Sequence, residues 1–122
     1  MKVLMSIKPQ YVDKIFSGEK VYELRRRIFQ KKVSTIVIYA TSPVMKVIGE
    51  VNIDSIVIDS PENIFRRFEK SICITEDNFF NYFFNKNVAY AIKIGAVCKY
   101  SKPKELSYFG IDRAPQSYIY LK

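Results

Sequence analysis

Residues 35 to 41, Thr-Ile-Val-Ile-Tyr-Ala-Thr, are the segment that most constrains the fold of this chain. Every interior position is apolar and the composition is β-branched and aromatic, so both faces of the strand it predicts must be covered. A strand of that kind sits in the middle of a sheet, and Ser42-Pro43 stops it. The rest of the chain must supply neighbours on both edges and layers on both faces.

Residues 2 to 7 alternate enough for one neighbouring strand. Pro9 then occupies the first turn of a helix, where its missing N–H costs nothing. Tyr11, Val12, Ile15 and Phe16 give that helix an apolar face, and Gly18 is placed to end it in the left-handed conformation. Residues 20 to 28 predict a second strand. A long strand is expected from Val44 toward Asp59, with Val47, Gly49, Val51 and Ile53 on one face until Asp54-Ser55 shifts the phase. Gly49 or that shift marks an expected bulge, bending the strand as a barrel wall bends.

Two helix starts follow. Ser60-Pro61-Glu62 combines a capping hydroxyl, a proline at the first position and an acid near the positive end, and Thr75-Glu76-Asp77 repeats the signal. Ile64, Phe65 and Phe68 form the buried face of the first helix, and Phe79, Phe80, Phe83 and Phe84 are expected as core on the second rather than as a stacking platform. Residues 88 to 95 alternate as a half-buried strand, with Val88, Tyr90, Ile92 and Ile94 inward. After Arg113-Ala114-Pro115 a short last strand spans Ser117 to Leu121. Five or six strands with two or three helices predict an α+β fold with a curved sheet or small barrel, in one domain covering residues 1–122.

The residue types that are missing exclude several functions. With no His, the serine and cysteine triads and the zinc sites that need imidazole cannot be built. Four glycines, at 18, 49, 95 and 110, form neither a phosphate loop nor a dinucleotide fingerprint. Cys73 and Cys98 are too few for a disulfide framework and are expected as small core hydrophobes. No cofactor or metal is expected, and no apolar run is long enough for a membrane span. The opening from Met1 to Pro9 turns polar too early for a signal peptide, so a cytoplasmic location and, by default, a monomer are expected.

The charge is concentrated. Residues 1 to 46 hold ten Lys/Arg against three Asp/Glu, a net +7, whereas the remaining residues net +1. A basic patch of that kind attracts polyanions, nucleic acid foremost, or serves only as a solvated surface. Within it, Ser17-Gly18-Glu19-Lys20-Val21-Tyr22-Glu23-Leu24-Arg25-Arg26-Arg27 is the densest polar stretch. Strand periodicity puts Glu23, Arg25 and Arg27 on one face, with Tyr22, Leu24 and Ile28 toward the core. Such an acid among arginines either orients a guanidinium, accepts from the amino group of a base, or belongs to a surface ion-pair ladder. Strict alternation points Lys20 away from Glu23, so joint chemistry requires Lys20 to precede the regular strand.

The pattern Gly18-x-Lys20-x-x-Glu23-x-Arg25 follows Ser6-Ile7-Lys8-Pro9 and precedes Tyr39-Ala40-Thr41-Ser42-Pro43-Val44. With Val47-Ile48-Gly49-Glu50 and Arg113-Ala114-Pro115-Gln116-Ser117, it resembles the ASCH domains of the PUA-like superfamily, in the branch labelled as predicted transcriptional regulators. The resemblance implies a PUA-like small β-barrel with flanking helices and a cleft used by related domains for RNA or a modified base. Single-stranded RNA or a nucleoside is then the expected ligand, with a regulatory role in transcription or translation. It assigns Lys8, Lys20, Arg25 and Arg27 to phosphate or a base edge and Glu23 to an amino group or guanidinium. Thr41, Ser42 and Arg113 fall to the rim, and Tyr39 to stacking or to the core. Similar domains that hydrolyse 4-acetylcytidine use a lysine, a threonine three residues on and a distant glutamate. Lys20 matches the lysine, Glu23 stands at the threonine position, and Glu69 is the candidate distant acid. Metal-independent ribonuclease activity is the other enzymatic alternative that the resemblance carries.

Overall fold

The computed structural model describes residues 1–122. Strand β1 (Lys2–Ile7) leads into helix α1 (Pro9–Ser17), followed by β2 (Tyr22–Arg25), β3 (Thr35–Ala40) and β4 (Lys46–Asp59). Helix α2 (Pro61–Phe68), a 3-10 turn (Glu69–Ser71) and α3 (Glu76–Tyr82) come next, then β5 (Ala89–Lys104), a second 3-10 turn (Leu106–Phe109) and β6 (Tyr118–Tyr120). The six strands form one sheet in the order β2-β5-β4-β3-β1-β6. Only β1 and β3 run parallel; the remaining pairs are antiparallel. This is the expected α+β small-barrel architecture, a curled sheet with three helices around it.

β3 lies centrally between β4 and β1, and all six of its residues are buried, as an uninterrupted apolar run requires. Its two faces serve different cores. Ile36, Ile38 and Ala40 face the concave interior with Val3, Met5, Ile7 and the α1 residues Val12 and Ile15, while Val37 and Tyr39 face Leu4, Val47 and Ile111. A third core lies between α2, α3 and the β2–β5 pair, around Ile64, Phe79, Phe83, Leu24, Ala89 and Ala91.

The curl has a local cause. Register slips between Val47 and Gly49, between Val51 and Ile53, and between Ile53 and Ser55 bend the β4–β5 pair. At Gly49 a Cβ would stand 2.4 Å from the Cys98 carbonyl oxygen and 2.8 Å from the Phe16 ring, so only glycine allows both the bulge and the approach of α1. Gly18 ends α1 at φ +88°, donating its amide to the Ile15 carbonyl. Ser60 and Thr75 cap α2 and α3 by accepting from the amides of Asn63 and Asn78.

Four expectations require correction. β2 is confined to Tyr22–Arg25 rather than residues 20 to 28, because the Lys20 and Val21 amides bond to the Lys14 and Ser71 carbonyls and Ile28 and Phe29 leave the strand to cover the interior. β5 is buried on both faces at its start rather than on one: Ala89 and Ala91, expected opposite the inward face, are fully buried because their small side chains admit α2 and α3, whereas Val88, expected inward, is 41% exposed. Phe84 is 73% exposed, since α3 ends at Tyr82. Neither cysteine is core. Cys98 lies exposed on the outer half of β5, opposite Glu50 of β4, and Cys73 is half-buried in the connection before α3.

Candidate functional site

Glu23 pairs with Ile92 across the β2–β5 ladder, and Ile92 belongs to the interior core, so the carboxylate points into the barrel where that core is open. The opening is a cavity of about 540 Å³. The end of β1 contributes Ser6, Ile7 and Lys8, α1 contributes Gln10 and Tyr11, and β2 with its approach contributes Lys20, Glu23, Leu24 and Arg25. The segment entering α3 and α3 itself add Ile74, Asn78, Asn81 and Tyr82.

Lys20 reaches this cavity because of the turn before β2. Gly18 reverses the chain, the Lys20 amide returns to the Lys14 carbonyl at 3.0 Å, and Val21 is pinned to Ser71 at 2.8 Å. Lys20 thus precedes the regular strand and points inward, the condition that joint chemistry with Glu23 required. Its side chain is 3% exposed; Nζ donates to the Ile72 carbonyl at 2.6 Å, lies 4.0 Å from Glu23 Oε1 and sits 5.1 Å from the Tyr11 ring centre. Burial lowers its pKa below the ordinary lysine range, and Glu23 opposes that shift. Burial also raises the Tyr11 hydroxyl, with the Glu23 charge adding to it.

Arg25 holds the other oxygen of Glu23. Its Nε donates to Oε2 at 3.1 Å and Nη2 lies 2.9 Å from the same atom. Nη2 also donates to the Ser6 carbonyl at 3.1 Å, and Nη1 to the Ser117 hydroxyl at 3.2 Å. One Nη1 hydrogen is left over. Most of the Arg25 donors are thus committed to Glu23 and to the β1 and β6 side of the barrel, which leaves that single hydrogen for the phosphate or base edge expected of it. The uncommitted polar capacity of the cavity is Glu23 Oε1, the remaining Lys20 hydrogens, and the side chains of Gln10, Asn78 and Asn81.

The other sequence candidates divide clearly. Lys8 is exposed and lines the cavity. Arg27 is exposed past the end of β2 and does not line it. Tyr39 is core, 4% exposed beside Leu4 and Val37, because both faces of β3 are covered. Thr41 and Ser42 lie in the turn after β3, where the Thr41 amide extends the β1 pairing to Ile7, and neither reaches the cavity. Arg113 is exposed on the connection to β6, outside the lining, although Pro115 of the same connection accepts from Ser6 Oγ at 2.7 Å. Glu69 is exposed and does not line the cavity: Phe68 turns inward to stack on Tyr22 at 4.1 Å, which leaves its neighbour facing solvent. The amidohydrolase set of Lys20, Glu23 and Glu69 is not assembled. Tyr11, Gln10, Asn78, Asn81 and Tyr82 were missed; the i, i+3 amides followed by Tyr82 were the available sign of a polar stripe beside the Phe79 face.

The crystal structure of ASCH from Zymomonas mobilis matches this fold at TM-score 0.90 and 28% identity, over 99% of this chain and 87% of that one. A Zymomonas mobilis protein named ASCH domain-containing ribonuclease is 34% identical over 83 residues, 67% of this chain and 56% of its own length. The large ribosomal subunit protein uL22 of Ureaplasma parvum is 29% identical over 121 residues, so that this chain spans 39% of that relative's length. The curled sheet, its helices and the motif beside the cleft define an ASCH domain of PUA-like fold. Within that class the chain belongs to the family described as Domain of unknown function (DUF365), which matches residues 1–112.

Proposed function

We propose that this domain binds single-stranded RNA in the cytoplasm and takes one unstacked nucleotide into the Lys20–Glu23 cavity, in the service of transcriptional or translational control. The observation that carries this reading is the cavity itself: a volume of about 540 Å³ with an ammonium and a carboxylate oxygen side by side at its floor. Every base presents a donor next to an acceptor on its Watson–Crick edge, which this pair complements, and Tyr11 and Tyr82 offer ring surface in the walls. The basic first third supplies attraction to phosphate. The similarity to a protein named as a ribonuclease supports RNA as the ligand.

Cleavage is a second reading, favoured by the placement of Lys20: an amine 4% exposed that lines the cavity 4.0 Å from Glu23 Oε1, where burial favours its neutral form. A neutral Lys20 amine would take the proton of a ribose 2′-hydroxyl, whose oxygen attacks the adjacent phosphorus. The P–O5′ bond breaks, the leaving oxygen takes a proton from solvent, and a 2′,3′-cyclic phosphate remains. Incubation of labelled single-stranded RNA with the full chain tests both readings. Retention at about 50 mM salt is expected, and its absence would remove the binding reading. Cyclic-phosphate ends that fall about a hundredfold or more in Lys20→Ala would establish cleavage, and intact retained RNA would leave binding alone.

A further inference from the structure

Between Glu23 and Glu50 the sequence contains no Asp or Glu, yet it carries Arg25, Arg26, Arg27, Lys31, Lys32 and Lys46. Arg25 is consumed within the cavity. Arg26, Arg27, Lys31 and Lys32 are exposed on the connection between β2 and β3, and none of them takes part in an ion pair. Four cations on one short connection repel one another, and no carboxylate within the fold pairs with any of them.

Two of the four are held against aromatic rings. Arg26 lies over Tyr82, its Cζ 4.8 Å from the ring centre, and Tyr82 is a wall of the cavity. Arg27 is exposed on the same connection, and Phe29, two residues on, meets the Tyr118 ring edge-on at 5.0 Å. Lys31 Nζ lies 5.0 Å from the centre of the Tyr120 ring, whose hydroxyl accepts from the amides of Gln30 at 2.8 Å and Lys31 at 3.3 Å. Cations and half-buried rings therefore alternate from the cavity wall at Tyr82 across to β6. Interleaving of this kind suits a flexible single strand, whose phosphates meet the cations while its bases meet ring surface.

We propose that the β2–β3 connection is a phosphate track, with Arg26, Arg27, Lys31 and Lys32 holding the backbone of nucleotides flanking the one in the cavity. The inference rests on the RNA reading of that cavity, and it adds that the ligand is a strand several nucleotides long rather than a free nucleoside.

The test compares a labelled oligouridylate of about a dozen nucleotides with uridine 5′-monophosphate on the full chain. Salt titration of the oligonucleotide between about 50 and 200 mM gives the slope. Replacing Arg26, Arg27, Lys31 and Lys32 together by Gln is expected to reduce the log–log slope by about 3, or about 0.7 per charge. Lys32→Gln alone, which breaks no recorded hydrogen bond or ring contact, is expected to remove about 0.7 and guards against a folding defect in the fourfold variant. Replacing Lys86, Lys99, Lys102 and Lys122 by Gln is the control and should leave the slope in place. An unchanged slope in the first set, or an equal loss in the control set, overturns the track. Wild-type binding of the mononucleotide without the oligonucleotide would also overturn it while sparing the cavity. Oligonucleotide binding that depends on the four cations, without mononucleotide binding, would sustain the track and sink the cavity reading.

Discussion

An ammonium group taken out of water loses several kcal/mol of hydration even after the surroundings relax. Lys20, 4% exposed, recovers part of that through the Ile72 carbonyl at 2.6 Å and the Glu23 carboxylate at 4.0 Å, and its lowered pKa records that the recovery is incomplete. The sign follows from linkage. The folded state holds the Lys20 proton less tightly than the unfolded state, so this residue's contribution to stability rises with pH between the folded pKa and the ordinary value of 10.5. Below that window the full burial cost remains. Lys20→Met keeps the volume and drops the charge while Arg25 still holds Glu23, so no carboxylate is left unpaired and the domain is expected to gain about 1 kcal/mol at neutral pH from the relieved desolvation. The advantage over wild type should shrink as pH approaches 10.5. Urea unfolding of both proteins across pH checks this; a Met variant less stable at neutral pH would mean that the contacts of Lys20 outweigh its desolvation.

Helices α2 and α3 are capped by the same device, a hydroxyl accepting from the N3 amide at 3.2 Å, but only α3 places side chains in the cavity. Ser60→Ala and Thr75→Ala should each cost about 1 kcal/mol of stability. Only Thr75→Ala should also weaken RNA binding, because fraying the first turn of α3 releases Asn78; equal binding by both variants would detach α3 from recognition. These elements also show what a sequence can disclose. Caps, the Gly18 stop, the Gly49 bulge and the doubly apolar β3 all act through neighbours in sequence or through strict periodicity, and each was legible. The truncation of β2 and the burial of Ala89 and Ala91 depend on Ser71 and on α2 and α3, partners remote in sequence, and periodicity carries no trace of them. At the site, the Gly18–Arg25 motif located Lys20 and Glu23, whereas Tyr11, Asn78, Asn81 and Tyr82 enter only through tertiary packing.

At the scale of the whole molecule the sheet is open in its ladder, since β2 and β6 are its two ends and no backbone pairing joins them. Side chains close the seam instead. Arg25 spans from Glu23 on β2 to the Ser6 carbonyl and the Ser117 hydroxyl, and Tyr120 on β6 holds the amides of Gln30 and Lys31 from the connection after β2. The same guanidinium thus closes the barrel and fixes the carboxylate at the cavity floor, which couples the shape of the site to the integrity of the fold. Arg25→Gln should cost about 3 kcal/mol, because it breaks the seam and leaves a buried carboxylate with only Lys20 near it. Amide exchange should quicken at β6 and β2 while β3, buried at the centre, keeps its protection. Glu23→Gln removes the charge that Arg25 was compensating. The double variant should therefore be more stable than the sum of the two single losses predicts, with a coupling of about 2 kcal/mol. Additive losses in that cycle would show that Arg25 serves the seam and Glu23 the cavity independently, and the coupling between fold and site would fall with them.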